Sequence, residues 1–199
     1  MKIVRTTECR TSPWKKGGGS TTEIAISPPS ASLDAFDWRI STARVASDGP
    51  FSEFPGVDRT LAVLEGDGLS LTIGDSAPIV LDRNAEPVNF PGDTRAAARL
   101  HAGEIRDLNV MTLRGAFEHR LVHIRQPTVC DFMRYDVAVV VASFGDVNLQ
   151  SFGAKATLAR GDAAILARES DGNCKVTPAA ETGCYLALLR ICRGQIGWA

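Results

Sequence analysis

Three histidines and five cysteines are the side chains of this 199-residue chain best suited to metal or nucleophilic chemistry, and their spacing limits both. His119 and His123 stand four apart, the separation of zinc ligands on one face of a helix. Their neighbours Leu121-Val122-His123-Ile124 alternate as in a strand instead. That sets His119, Leu121, His123 and Arg125 on one face, with Glu118 the one flanking carboxylate. Surface or rim histidines are expected there rather than a metal site. Cys9, Cys130, Cys174, Cys184 and Cys192 are odd in number and form no C-x-x-C pair, which fits neither a disulfide framework nor a zinc finger. Reduced, mostly buried thiols are expected. A catalytic cysteine would need a histidine beside it in space, and no nucleophile, base and orienting group stand out as a set. In Trp14-Lys15-Lys16-Gly17-Gly18-Gly19 the glycines free the backbone to turn or to approach a ligand, but the phosphate-loop pattern is absent.

The elements that must position these residues read as short strands. Apolar-alternating runs at 24–27, 37–45, 60–65, 69–73, 119–125, 138–143, 147–152, 163–167 and 185–192 are separated by Gly, Pro and Asp turns. Strands about 8–12 residues apart with turn signals between them indicate a β-sandwich or barrel. The best helix candidate, residues 94–101 with Ala96-Ala97-Ala98, is short. The two halves echo one another: in each, a strand runs into a Gly-Asp turn (Gly66-Asp67, Gly145-Asp146), a second strand follows, and a second Gly-Asp comes later (Gly92-Asp93, Gly161-Asp162). The expected fold is therefore all-β: two diverged copies of one RmlC-like jelly roll, a two-barrel cupin (bicupin) with little helix. One unit over 1–199 is expected, with a first barrel at 1–112 and a second at 113–199.

Charge and composition exclude other classes. Lys+Arg is 22 and Asp+Glu is 23, a net charge of -1 with no basic stripe, so no nucleic-acid partner is expected. Uncharged stretches such as 137–145 are far too short to cross a bilayer. The first five residues show neither an apolar run nor a small-residue cleavage site, and a cytoplasmic location without membrane contact is expected.

A metal-holding cupin barrel carries H-x-H, then Glu, then Gly at set spacings. Here Ser52, Phe54, Arg59 and Gly66 occupy that spacing. A hydroxyl, a phenyl ring and a guanidinium cannot hold a divalent cation, so no metal and no cofactor are expected, and an anion site in exchange for the cation site is the expectation.

Several segments together resemble the HutD/Ves family of small bacterial two-barrel cupins. They are Trp14-Lys15 with Gly17-Gly18-Gly19 and Thr22-Glu23-Ile24; Phe36-Asp37-Trp38-Arg39-Ile40-Ser41; Gly49-Pro50-Phe51-Ser52-x-Phe54-Pro55-Gly56-x-Asp58-Arg59; Leu64-x-Gly66; Phe90-x-Gly92-Asp93; and Asp107-Leu108-Asn109-Val110-Met111. Lys16 stands where the family usually has Asn. The resemblance implies a setting in bacterial histidine utilisation for the HutD branch: binding a pathway intermediate and moderating the pathway. It supplies no enzyme class. Urocanate- or formylglutamate-type intermediates carry carboxylates, which Arg39 and Arg59 could meet with planar forks. Ser52 and Asn109 could add hydrogen bonds, and Trp14, Phe54 and Phe90 could wall the pocket. Arg59 stays charged at working pH, so affinity is expected to be flat near neutrality. Arg59 as a structural clasp to Asp58 or Asp93 is the competing role. A small carboxylate is thus the expected partner of a non-catalytic protein, and a homodimer is allowed. The alternative is a metal-independent isomerase or hydrolase using His123, Asp58 or Glu23 as acid or base.

Overall fold

A computed structural model describes residues 1–14, 17–130, 132–151, 153–168, 172–179 and 183–192. In chain order the strands are β1 (Lys2–Val4), β2 (Thr11–Pro13), β3 (Gly19–Ser27), β4 (Trp38–Val45), β5 (Gly49–Pro50), β6 (Val57–Glu65), β7 (Leu69–Ile73), β8 (Ile79–Leu81), β9 (Val88–Pro91), β10 (Ala96–Leu100), β11 (Ile105–Leu113), β12 (Phe117–Ile124), β13 (Thr128–Cys130), β14 (Val137–Val141), β15 (Val147–Ser151), β16 (Ala154–Leu158), β17 (Ala163–Ala167), β18 (Cys174–Pro178) and β19 (Cys184–Ile191). One turn of 3-10 helix spans Thr6–Glu8. Among the described residues no helix is long and apolar enough to cross a membrane.

Among the described residues the strands form four antiparallel sheets, a large and a small one in each half. The first half has β2-β3-β4-β11-β6-β9 facing β5-β10-β7-β8, and the second has β1-β17-β14-β19-β12 facing β13-β18-β15-β16. The order β4-β11-β6-β9 recurs as β12-β19-β14-β17, and β5-β10-β7-β8 recurs as β13-β18-β15-β16. The internal echo is thus a repeat of topology: two jelly-roll barrels. Its second Gly-Asp does not superpose, because Gly92 follows β9 whereas Gly161 precedes β17, the strand in the matching place. The second barrel also takes its edge strand from the chain's start, with Ile3 opposite Ala164, which a division at residue 112 does not anticipate.

Residues 94–101, the helix candidate, contain β10 instead. Ala96 and Ala98 turn into the first-barrel core while Ala97 and Arg99 face out, and β7 and β5 supply the hydrogen-bonding partners. Alanine's helix preference is worth only a few tenths of a kcal/mol per residue, about the scale that burial and pairing readily override.

Each barrel has an apolar interior, and a third core lies between them. There Trp38, Ile40, Leu108, Val110, Ala62 and Leu64 of the first large sheet meet Leu121, Val139, Val141, Tyr185, Ala187 and Leu189 of the second. Both faces of β4 are consequently buried. Trp38 and Ile40 face the other barrel, while Arg39, Ser41 and Ala43 face the interior of their own.

His119 and His123 lie on this inter-barrel face, not at a rim. His123 stacks on Tyr185 with ring centroids 4.8 Å apart, and Phe144 lies 5.2 Å away. His119 joins the barrels: Nδ1 is 2.7 Å from Thr112 Oγ1 and Nε2 is 2.6 Å from Thr60 Oγ1, while the Thr60 hydroxyl donates to Asn89 Oδ1. A neutral ring protonated on Nε2 satisfies the set, donating to Thr60 and accepting from Thr112. Burial pushes His119 down to about 4, against a smaller upward pull from Asp58. The unfolded chain therefore binds this proton first, and the stability held by neutral His119 is lost as pH falls from about 6.5 through 4. The loss should reach roughly 2–3 kcal/mol, allowing for partial exposure. Urea unfolding at pH 4.5 and 7 measures it. The His119→Gln variant should show a flatter acid limb, and equal slopes in the two proteins would rule the assignment out.

Candidate functional site

The inward face of the first large sheet carries a line of buried polar residues that a barrel core does not need. Register makes the line. Across β4, β11 and β6, Arg39, Met111 and Arg59 lie side by side; next come Ser41, Asn109 and Leu61, then Ala43, Asp107 and Val63. Alternation turns all of them to the same side. Arg39, Ser41, Arg59, Asp107 and Asn109 are each buried.

Arg59 is the centre of the line, at 4% exposure. One terminal nitrogen donates to the Ser52 carbonyl at 3.1 Å and the other to Asn109 Oδ1 at 2.8 Å, and Nε has no partner among the described residues. Three rings surround the guanidinium: Phe90 at 5.1 Å, Phe51 at 5.4 Å and Phe54 at 5.5 Å from centroid to Cζ. Ring faces attract a cation and substitute in part for its lost hydration. Burial pushes Arg59 down to about 10, with Asp107 pulling it up and Arg39 down, so the guanidinium remains charged near neutrality.

Residues 51–56 close over this cation. Phe51 N–H donates to Ala96 O and Phe54 N–H to Gly92 O, and Phe54 packs edge-on to Phe36 at 6.3 Å. Gly92 permits the closure, because a Cβ there would lie 2.9 Å from the carbonyl oxygens of both Phe54 and Val57. The loop is thus a cover held by main-chain hydrogen bonds, with Phe54 and Phe51 as its inner surface.

The sequence-derived site is brought together only in part. Arg59, Asn109, Phe54 and Phe90 meet directly. Ser52 joins through its carbonyl, not its hydroxyl, and the residue is exposed. Arg39 shares the face, but its Nε donates to Glu23 Oε2 at 2.9 Å, so its charge is already matched. Trp14 lies at the far end of the sheet, where Gly19 pairs with Val45; its indole N–H donates to Thr21 Oγ1 at 2.8 Å and its ring packs over Gly19. Lys15 and Lys16 lie outside the described residues.

The clasp to Asp58 and Asp93 exists, but Arg114 makes it. Arg114 reaches Asp58 Oδ1 at 2.9 Å and Asp93 Oδ2 at 3.2 Å on the surface. The three candidate acid–base residues are dispersed: Asp58 is on Arg114, Glu23 on Arg39, and His123 between the barrels. Phe51 and Asp107 were missed. Phe51 stood in the same Gly-Pro-Phe-Ser string as Ser52. Asp107 is two residues before Asn109, so strand alternation already placed the pair on one face.

Comparison with known proteins agrees with this architecture. The chain is 34% identical over 121 residues to an uncharacterised 21.2 kDa protein in the hutC 3′ region of Pseudomonas putida, covering 61% of this chain and 63% of that one. It is 42% identical over 102 residues to protein Ves of Citrobacter koseri, covering 51% and 52%. The matched segments therefore span from about half to just under two thirds of these curated relatives. The structure of HutD from Pseudomonas fluorescens SBW25 superposes with a TM-score of 0.81 at 27% identity, over 96% of this chain and 98% of that one. A cupin 2 conserved barrel domain protein from Leptotrichia buccalis, at 11% identity, covers 96% of each chain with a TM-score of 0.57 and shares the fold alone. The HutD family model matches residues 6–184, and the chain belongs to the HutD family.

Proposed function

We propose that the first barrel binds a small organic carboxylate at Arg59, and that through this ligand the protein moderates bacterial histidine utilisation without catalysing a reaction. The observation that carries the reading is Arg59 itself. A charged guanidinium has been taken out of water into an aromatic cage, and among the described residues no carboxylate is bonded to it and Nε has no partner. Burying a charge without a bonded counter-ion is costly, and an anion seated against Nε would offset that cost. Membership of the HutD family and the relative in a hutC 3′ region support the metabolic setting. Urocanate and formylglutamate both carry the required group. A thermal-shift screen should show one of them raising the unfolding midpoint, because a ligand that binds only the native state must stabilise it by mass action. No shift with either compound at millimolar concentration would defeat the reading.

A further inference from the structure

We propose that this site takes up one proton together with its carboxylate ligand, and that Asp107 receives it. The inference rests on the reading that the ligand sits at Arg59. Asp107 is completely buried. Its Oδ1 accepts from the Ala43 N–H at 3.1 Å and from Asn109 Nδ2 at 2.8 Å, while Oδ2 has no partner among the described residues. Asn109 turns its other amide atom to Arg59. One side-chain bridge thus joins two unpartnered atoms of opposite character, the Asp107 acceptor and the Arg59 Nε donor.

The charges facing Asp107 are few. β6 presents Arg59, and β4 presents Arg39, which is matched by Glu23 from β3. β9 contributes Phe90 to this core, and the small sheet contributes Leu69, Leu71, Leu81, Ala96 and Ala98, none of them ionisable. Burial pushes Asp107 up to about 7, against Arg59, the Ala43 N–H and the Asn109 amide, which all pull it down. A carboxylate arriving at Arg59 spends that guanidinium on a second anion and adds its own repulsion. Asp107 is then protonated from solvent. The bound state holds one ligand anion and one added proton, so the interior charge is unchanged. The new O–H on Oδ2 is a donor where an orphaned acceptor stood.

Arg59 alone would leave affinity flat near neutrality; Asp107 gives it a slope. Affinity should be level below about pH 7 and fall by up to tenfold per pH unit above it. The ligand-free protein carries the same signature. Because folding raises this carboxyl, the native state keeps a proton that the unfolded chain releases. The stabilisation is full below about pH 4 and is lost as pH rises through about 7. Asp107→Asn, which cannot ionise, should therefore gain on the wild type in unfolding midpoint between pH 5 and 8.5.

The test is calorimetric titration of urocanate and of formylglutamate at pH 8, in two buffers of very different ionisation enthalpy. The expected result is an uptake approaching one proton per bound ligand in the wild type, lost in Asp107→Asn, with the stability gap widening as pH rises. Binding without proton uptake, or equal uptake in the variant, overturns the inference and leaves the carboxylate site standing. Failure of both compounds to bind defeats the carboxylate site, and the inference falls with it.

Discussion

Arg59→Ala should lose carboxylate binding by roughly 2–5 kcal/mol, about 30-fold to several thousand-fold in dissociation constant. The removed group is the only cation on this face without a bonded carboxylate, among the described residues, since Glu23 matches Arg39. Stability should fall by less, about 1–3 kcal/mol, the usual cost of stranding a buried polar partner. Here the stranded atoms are Asn109 Oδ1 and the Ser52 carbonyl. Removing a desolvated charge offsets part of the loss. The surface clasp of Arg114 to Asp58 and Asp93 is untouched, so a global collapse is not expected. Arg59→Lys should restore only part of the affinity, because an ammonium cannot reproduce the fork that spans Ser52 O and Asn109 Oδ1 while presenting Nε. Calorimetry and urea unfolding on the same preparations separate the two effects. A folded Arg59→Ala protein that binds unchanged would remove the ligand from the first barrel.

Gly66→Ala should cost about 2–5 kcal/mol of stability, a sum of backbone strain and overpacking. Gly66 sits between β6 and β7 at φ +92°, a conformation that L residues rarely adopt. An added Cβ would lie 2.5 Å from the Glu104 carbonyl oxygen and 2.9 Å from Ile105 Cγ2. Neither neighbour can retreat cheaply. Ile105 is a core residue that opens β11, and the register of β6 against β11 shifts between Arg106 and Asp107, beside this turn. Gly103 is the internal control. It has φ +66° but open space around its Cβ position, so Gly103→Ala should show the backbone penalty alone, about 1–2 kcal/mol. Urea midpoints at constant slope measure both. Equal losses in the two variants would mean that the Gly66 turn moves aside and the close packing is not limiting.

The strands themselves were legible because period-two alternation is a local property. The runs at 37–45, 60–65 and 69–73 became β4, β6 and β7 within a few residues. The repeat of a jelly-roll unit was legible from turn order, although the second Gly-Asp turns lie at opposite ends of the corresponding strands. Arg59, Asn109, Phe54 and Phe90 stood among seven candidates with Arg39, Ser52 and Trp14, and which of the seven would meet was not legible. Arg59 reaches Asn109 across a sequence separation of 50, through the pairing of β6 with β11.

What the tertiary structure alone decided follows from one limit: alternation distinguishes two faces of a strand but not what covers each. In β4 both faces are covered, one by the second barrel and one by its own barrel, so apolar Trp38 and Ile40 mark the inter-barrel core and the polar face turns inward. The same limit hid the histidines, whose strand face is roofed by the other barrel. It also hid Asp107. A carboxylate next to apolar residues in sequence reads as a turn or surface group. Its carboxyl is pushed up because three strands and an apolar small sheet exclude water from it, and exclusion of water is a property of the closed barrel rather than of any segment.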